Sequence, residues 1–72
     1  MEYYKRLQEI RIDRDEKQES IAQILGTTKQ QISKYENGIN EMTVSKLKVL
    51  CEHYQVSADY ILGLPKNSKW PR

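Results

Sequence analysis

Apolar residues recur along this chain at spacings of three and four, and no segment alternates with a period of two. Tyr3, Leu7 and Ile10, with Tyr4 beside them, place a first helix from about Glu2 to about Asp13. After the charged connector of residues 13–17, Ile21, Ala22, Ile24 and Leu25 give Gln18 to Leu25 an apolar stripe, and Gly26 ends that second helix by adopting the left-handed conformation. Thr28 has the short hydroxyl side chain that accepts a hydrogen bond from a free N–H at a helix start, and Gln31 stands three residues on, as a capping box requires. A third helix therefore runs from Lys29 to Asn37, where Asn37-Gly38 stops it. Thr43 caps a fourth helix, whose stripe is Val44, Leu47, Leu50, Cys51 and Tyr54. Ser57 caps a short fifth one with Ala58, Tyr60, Ile61 and Leu62, which Gly63 and Pro65 end. The pattern predicts an all-α domain over residues 1–64 and a C-terminal tail over 65–72.

Composition narrows the function more than it names one. At 72 residues the chain is close to the size at which a single core suffices to fold, which leaves little room for a buried catalytic cleft. Lys and Arg number 12 against 10 Asp and Glu, so the net charge of +2 does not by itself argue for nucleic acid. The plainly basic segment is the tail, with Lys66, Lys69 and Arg72. Cys51 is alone, which excludes an internal disulfide, and no apolar run has the length of a signal or membrane segment, so the reading is of a cytoplasmic protein. Cys51 and His53 are two apart on a helix and point in different directions. No metal site, cofactor or catalytic residue is expected, Cys51 being a small core residue and His53 a surface one. Tyr3, Tyr35, Tyr54 and Tyr60 fit core or interface positions by their spacing.

The third helix carries the chemistry. Ile32 and Tyr35 face inward, while Lys29, Gln30, Ser33 and Lys34 share the opposite arc. Gln can bond bidentately to adenine, Lys can donate to guanine N7 and O6, and Ser reaches either kind of edge, so this face suits the DNA major groove. A merely solvated helix face has the same look. The short helix and tight turn in front of it are what favour the groove.

These residues carry a resemblance. Through RLQEIR at 6–11, Q-x-x-IA at 18–22, LGTTKQQISKYENG at 25–38 and VSADYILG at 56–63, the chain resembles the phage Cro/repressor-type (Xre-like) helix-turn-helix transcriptional regulators from Lys5 to Gly63. TTKQQI looks like the recognition-helix start of a lambdoid phage repressor. The resemblance implies a compact, lambda-repressor-like five-helix bundle that binds double-stranded operator DNA as a homodimer. It places Lys29, Gln30, Ser33 and Lys34 at base-reading positions, with the methyl of Thr28 beside them, and Lys17, Gln18 and Asn37 at phosphates. It also matches Arg11 and Glu36 to a structural ion pair between the first helix and the end of the third. Three departures stand out: Asp15-Glu16-Lys17 replaces the usual Gly-apolar-Ser/Thr, Glu41 lies in a loop that is often basic, and Gln55 sits where a helix-ending Gly is common.

A transcriptional repressor of this size has no room for a sensor, so control falls to concentration, proteolysis or a regulatory protein partner. The same fold serves antitoxins and restriction-modification controllers, which also bind DNA, and a purely protein-interacting helical module is the rival of a different class. A dimer contact is expected near the fifth helix, with Ile61, Leu64 and Trp70 supplying apolar area.

Overall fold

The computed structural model describes residues 2–64, which form α1 (Tyr3–Asp13), α2 (Gln18–Leu25), α3 (Lys29–Glu36), α4 (Val44–Tyr54) and α5 (Ala58–Leu62). Among these residues there is no strand. The expected tail, with Trp70, lies outside the described residues.

The helices end alike. At the close of each, one residue turns left-handed, namely Asp15, Gly26, Gly38, Gln55 and Gly63 in chain order. The next residue then donates its N–H to a carbonyl five positions back, in the pairs Glu16 to Arg11, Thr27 to Ala22, Ile39 to Lys34, Val56 to Cys51 and Leu64 to Asp59, all at 2.9–3.0 Å. This bond, and the one beside it from the left-handed residue to the carbonyl three positions back, satisfy carbonyls that a helix end leaves without partners. Three helices also begin alike: Thr28, Thr43 and Ser57 accept from the N–H of Gln31, Lys46 and Tyr60 at 3.1, 3.2 and 3.2 Å. α1 and α2 begin at Glu2 and Lys17 with no side-chain cap.

The core is Leu7, Ile21, Ala22, Ile32, Tyr35, Leu50, Cys51, Tyr54 and Ile61, with Tyr3, Ile10, Leu25, Met42, Leu47 and Val56 packed around it. Burying each large apolar side chain is worth about 1.5–3 kcal/mol. α2 packs on α3 and α4, α1 on α3 and α5, and α4 on α5, so every helix gives one face to the same core. The two tyrosines at the start of α1 hold the loop that leaves α3. Tyr3 Oη accepts from the Met42 N–H at 3.2 Å, and the Tyr4 ring lies so close to Gly38 that a Cβ there would come within 2.5 Å of it. Gly38 is thus required twice, by its φ of +72° and by the ring against it.

Some expectations change. Asn37 follows α3 instead of belonging to it, at φ −97°, and Gly38 alone supplies the left-handed turn. Gln31 does not complete the capping box, since its side-chain oxygen accepts from Asn40 Nδ2 at 3.4 Å. Val44, placed on the α4 stripe, is 83% exposed because the first turn of α4 projects past the core, and Ile24 and Tyr60 are exposed as well. Ile61, expected at a dimer contact, is 0% exposed: α5 drives it into the core of its own protomer, so it offers no area to a partner.

Candidate nucleic-acid interface

α3 follows α2 after Gly26, Thr27 and Thr28 alone. Gly26 needs only its φ of +68°, because nothing lies within 4 Å of where a Cβ would stand. With Thr28 capping its first turn, α3 turns Ile32, Tyr35 and Glu36 inward. Lys29, Gln30 and Lys34 are exposed and Ser33 is half-buried. At 100° per residue these four span an arc of about 140°. Thr28 is exposed at the leading end of the same surface.

The arc is held from behind by a buried carboxylate. Glu36 accepts from Arg11 Nε at 2.7 Å and Arg11 Nη2 at 3.1 Å, and its Oε1 also accepts from Gln18 Nε2 at 2.9 Å. Arg11 Nη1 donates to the Glu16 carbonyl at 2.9 Å. The last turns of α1 and α3 and the first turn of α2 therefore meet on one acid that accepts three hydrogen bonds. Such a geometry offsets the desolvation of two largely buried charges.

Gln18 gives one amide hydrogen to Glu36, and its other amide hydrogen and its oxygen make no hydrogen bond among the described residues. Lys17 stands beside it, exposed, at the uncapped start of α2, where backbone N–H groups have no intrahelical partner. Asn37 is folded back: its Nδ2 donates to the Ser33 carbonyl at 2.9 Å and lies 3.4 Å from Ser33 Oγ. This amide hydrogen would have to leave the Ser33 carbonyl before it could be given to a phosphate.

Two contacts escape sequence reasoning. Lys29 Nζ lies 3.7 Å from Glu19 Oε1, joining the first turns of α2 and α3. His53 Nε2 lies 2.6 Å from Glu16 Oε1, tying α4 to the connector in front of α2. The first depends on how α2 packs on α3, which the opposite charges of two residues ten apart do not reveal. The second, 37 residues apart in sequence, carried no signal of spacing.

Away from this face the titratable groups serve the core. Burial pushes the Cys51 thiol up, with Glu52 adding to it, and pushes the Tyr54 phenol well above its ordinary range, with Glu16 and Glu36 adding. Both stay neutral at physiological pH. Among the described residues no three His, Cys, Asp or Glu side chains come together to hold a metal ion, and no helix is long and apolar enough to cross a membrane. Beside the buried Ile61, Tyr60, Leu62 and Leu64 expose 49, 44 and 40% of their surfaces.

A family model described as helix-turn-helix matches residues 7–61, three quarters of the chain. Among solved structures, the P22 c2 repressor protein, crystallised in complex with synthetic operator 9T in the presence of Tl+, superposes with a TM-score of 0.78. It is 24% identical, and the match covers 86% of this chain and 94% of that one, a likeness of fold. Among proteins of curated function, none matches the chain.

Proposed function

This chain belongs to the helix-turn-helix family, and from that premise we propose a DNA-binding transcriptional regulator of the phage Cro/repressor type, a cytoplasmic repressor that binds an inverted-repeat operator as a symmetric dimer. The observation that carries the proposal is the arc of Lys29, Gln30, Ser33 and Lys34, set at the start of a capped helix behind a three-residue turn and braced by Glu36. α3 enters the major groove. Lys29 and Lys34 donate to guanine edges and Gln30 pairs with adenine, while Ser33 and the Thr28 methyl complete the reading. Lys17, Gln18 and the leading N–H groups of α2 hold a phosphate, which fixes the register of α3 without reading sequence.

A single helix reads too few bases for genomic specificity, and two of them can enter successive major grooves on one face of DNA only at half-site centres about 34 Å apart. The dimer contact is assigned to the exposed Tyr60, Leu62 and Leu64 by α5; so short a segment buries little, and DNA completes the pairing. The complete protein offered a random duplex pool should enrich an inverted repeat, with two protected half-sites by footprinting. Enrichment of no sequence would overturn the proposal. An insertion of five base pairs between half-sites that left cooperativity intact would overturn the dimer.

A further inference from the structure

The contact between Glu19 and Lys29 sits at the edge of the reading surface and contributes little to the fold. Its charged atoms are 3.7 Å apart, and both side chains are more than half exposed, at 58 and 57%. Exposed pairs of this kind add at most about 1 kcal/mol to stability. The contact matters more for what approaches from outside. The α2–α3 face carries Lys17, Lys29 and Lys34, and the carboxylate of Glu19 stands against the lysine at the leading end of the reading helix.

We propose that Glu19 is a specificity-determining residue, which tethers the Lys29 ammonium over the base-reading end of α3 and denies it to the phosphate backbone. The inference rests on the DNA-reading function proposed above. An ammonium has three hydrogens. It can stay paired with the Glu19 carboxylate 3.7 Å away and still give a hydrogen to guanine O6 or N7, because a base edge is neutral and tolerates a carboxylate nearby. A phosphate does not. To bind one, Lys29 must either leave Glu19 or bring two anions together in a site that is losing its water, where their repulsion is least screened. Binding without sequence preference comes almost wholly from lysines on phosphates. Glu19 therefore weakens binding to arbitrary DNA more than it weakens binding to the operator.

The test compares the parent with Glu19→Gln, which keeps shape and loses charge, on two duplexes of equal length: the sequence the parent enriches from a random pool, and a scrambled version. Affinities are measured by fluorescence anisotropy over a series of salt concentrations. Glu19→Gln should tighten the scrambled duplex about three- to tenfold, leave the enriched one within about twofold, and steepen the salt dependence on the scrambled duplex by about one phosphate contact. In a Lys29→Met background the same change should leave that salt dependence unaltered. Equal tightening on both duplexes would make Glu19 a general acidic brake and overturn the proposal, as would no change on either. A parent that enriches nothing would instead overturn the DNA-reading function itself.

Discussion

The chain makes the same turn twice and uses it for opposite ends. Between α2 and α3, Gly26 turns left-handed, Thr27 bonds back to Ala22 at 2.9 Å, and Thr28 caps the next helix. Between α4 and α5, Gln55 turns left-handed, Val56 bonds back to Cys51 at 3.0 Å, and Ser57 caps the next helix. The backbones match residue for residue, yet α3 presents lysines and glutamine to solvent while α5 delivers Ile61 to the centre of the core. The turn sets only the angle between two helices. What the second helix offers to solvent depends on which side chains its outer arc carries, polar ones on α3 and partly apolar ones on α5. The anchors differ as well: α3 adds to its buried Ile32 and Tyr35 a polar knot on Glu36 at its last turn, while α5 is held by the buried Ile61 without one.

The strongest test of that contrast is Glu36→Ala. It strands the largely buried Arg11 guanidinium and frees Gln18, and a broken buried pair costs about 3–5 kcal/mol. The melting temperature should fall steeply, and α2 and α3 should lose hydrogen-exchange protection first. A melting point near the parent's would mean that the reading arm, like the other, is held by apolar contacts alone.

Ile61→Ala probes the other anchor, at an expected cost of about 2–5 kcal/mol for a cavity at a site 0% exposed. The loss should be the same at any protein concentration, because the side chain packs within its own protomer. A melting point within a degree or two of the parent's, or a loss seen only at low concentration, would return Ile61 to a dimer contact.

That residue also marks where the sequence stopped being legible. Periodicity and end signals locate the helices, because hydroxyl caps at Thr28, Thr43 and Ser57 and glycines at 26, 38 and 63 act locally and can be read locally. Periodicity does not say how deep a position lies. Ile61 and Val44 both sit on apolar stripes, and one is fully buried while the other is 83% exposed, since depth depends on where the helix ends fall against their neighbours. The site divides the same way. The outward arc of α3 follows from spacing, and the Arg11–Glu36 pair came from resemblance. The third partner, Gln18, and the Glu19–Lys29 contact required the packing of α2 on α3. The engagement of Asn37 with Ser33 was hidden because a side chain can bond its own helix end as readily as a ligand.

Gln30→Ala should separate the arms by function. It removes an exposed side chain from α3, so the melting point should stay within about a degree or two of the parent's, while discrimination at one base position falls by about 1–3 kcal/mol. Gln18→Ala should weaken all sequences alike. Binding measured over single-base operator variants would distinguish them. An unchanged base preference in Gln30→Ala would show that the exposed arc is not what reads.

The smallest effect concerns the turns themselves. If their backbones are equivalent, exchanging the residue types at their left-handed positions should shift stability in opposite directions. An L-residue pays about 1–2 kcal/mol in that conformation, partly offset by the extra freedom glycine has when unfolded. Gly26→Ala should destabilise by about 1 kcal/mol through φ alone, because the space for a Cβ is open. Gln55→Gly should stabilise by about 0.5–1 kcal/mol, seen as a rise of a few degrees in melting temperature for a domain this small. DNA discrimination should be untouched in Gln55→Gly, whose turn precedes α5 and not the proposed reading helix. A lower melting point in that variant would mean that the Gln55 side chain makes a contribution beyond its backbone, and the two turns would no longer be equivalent.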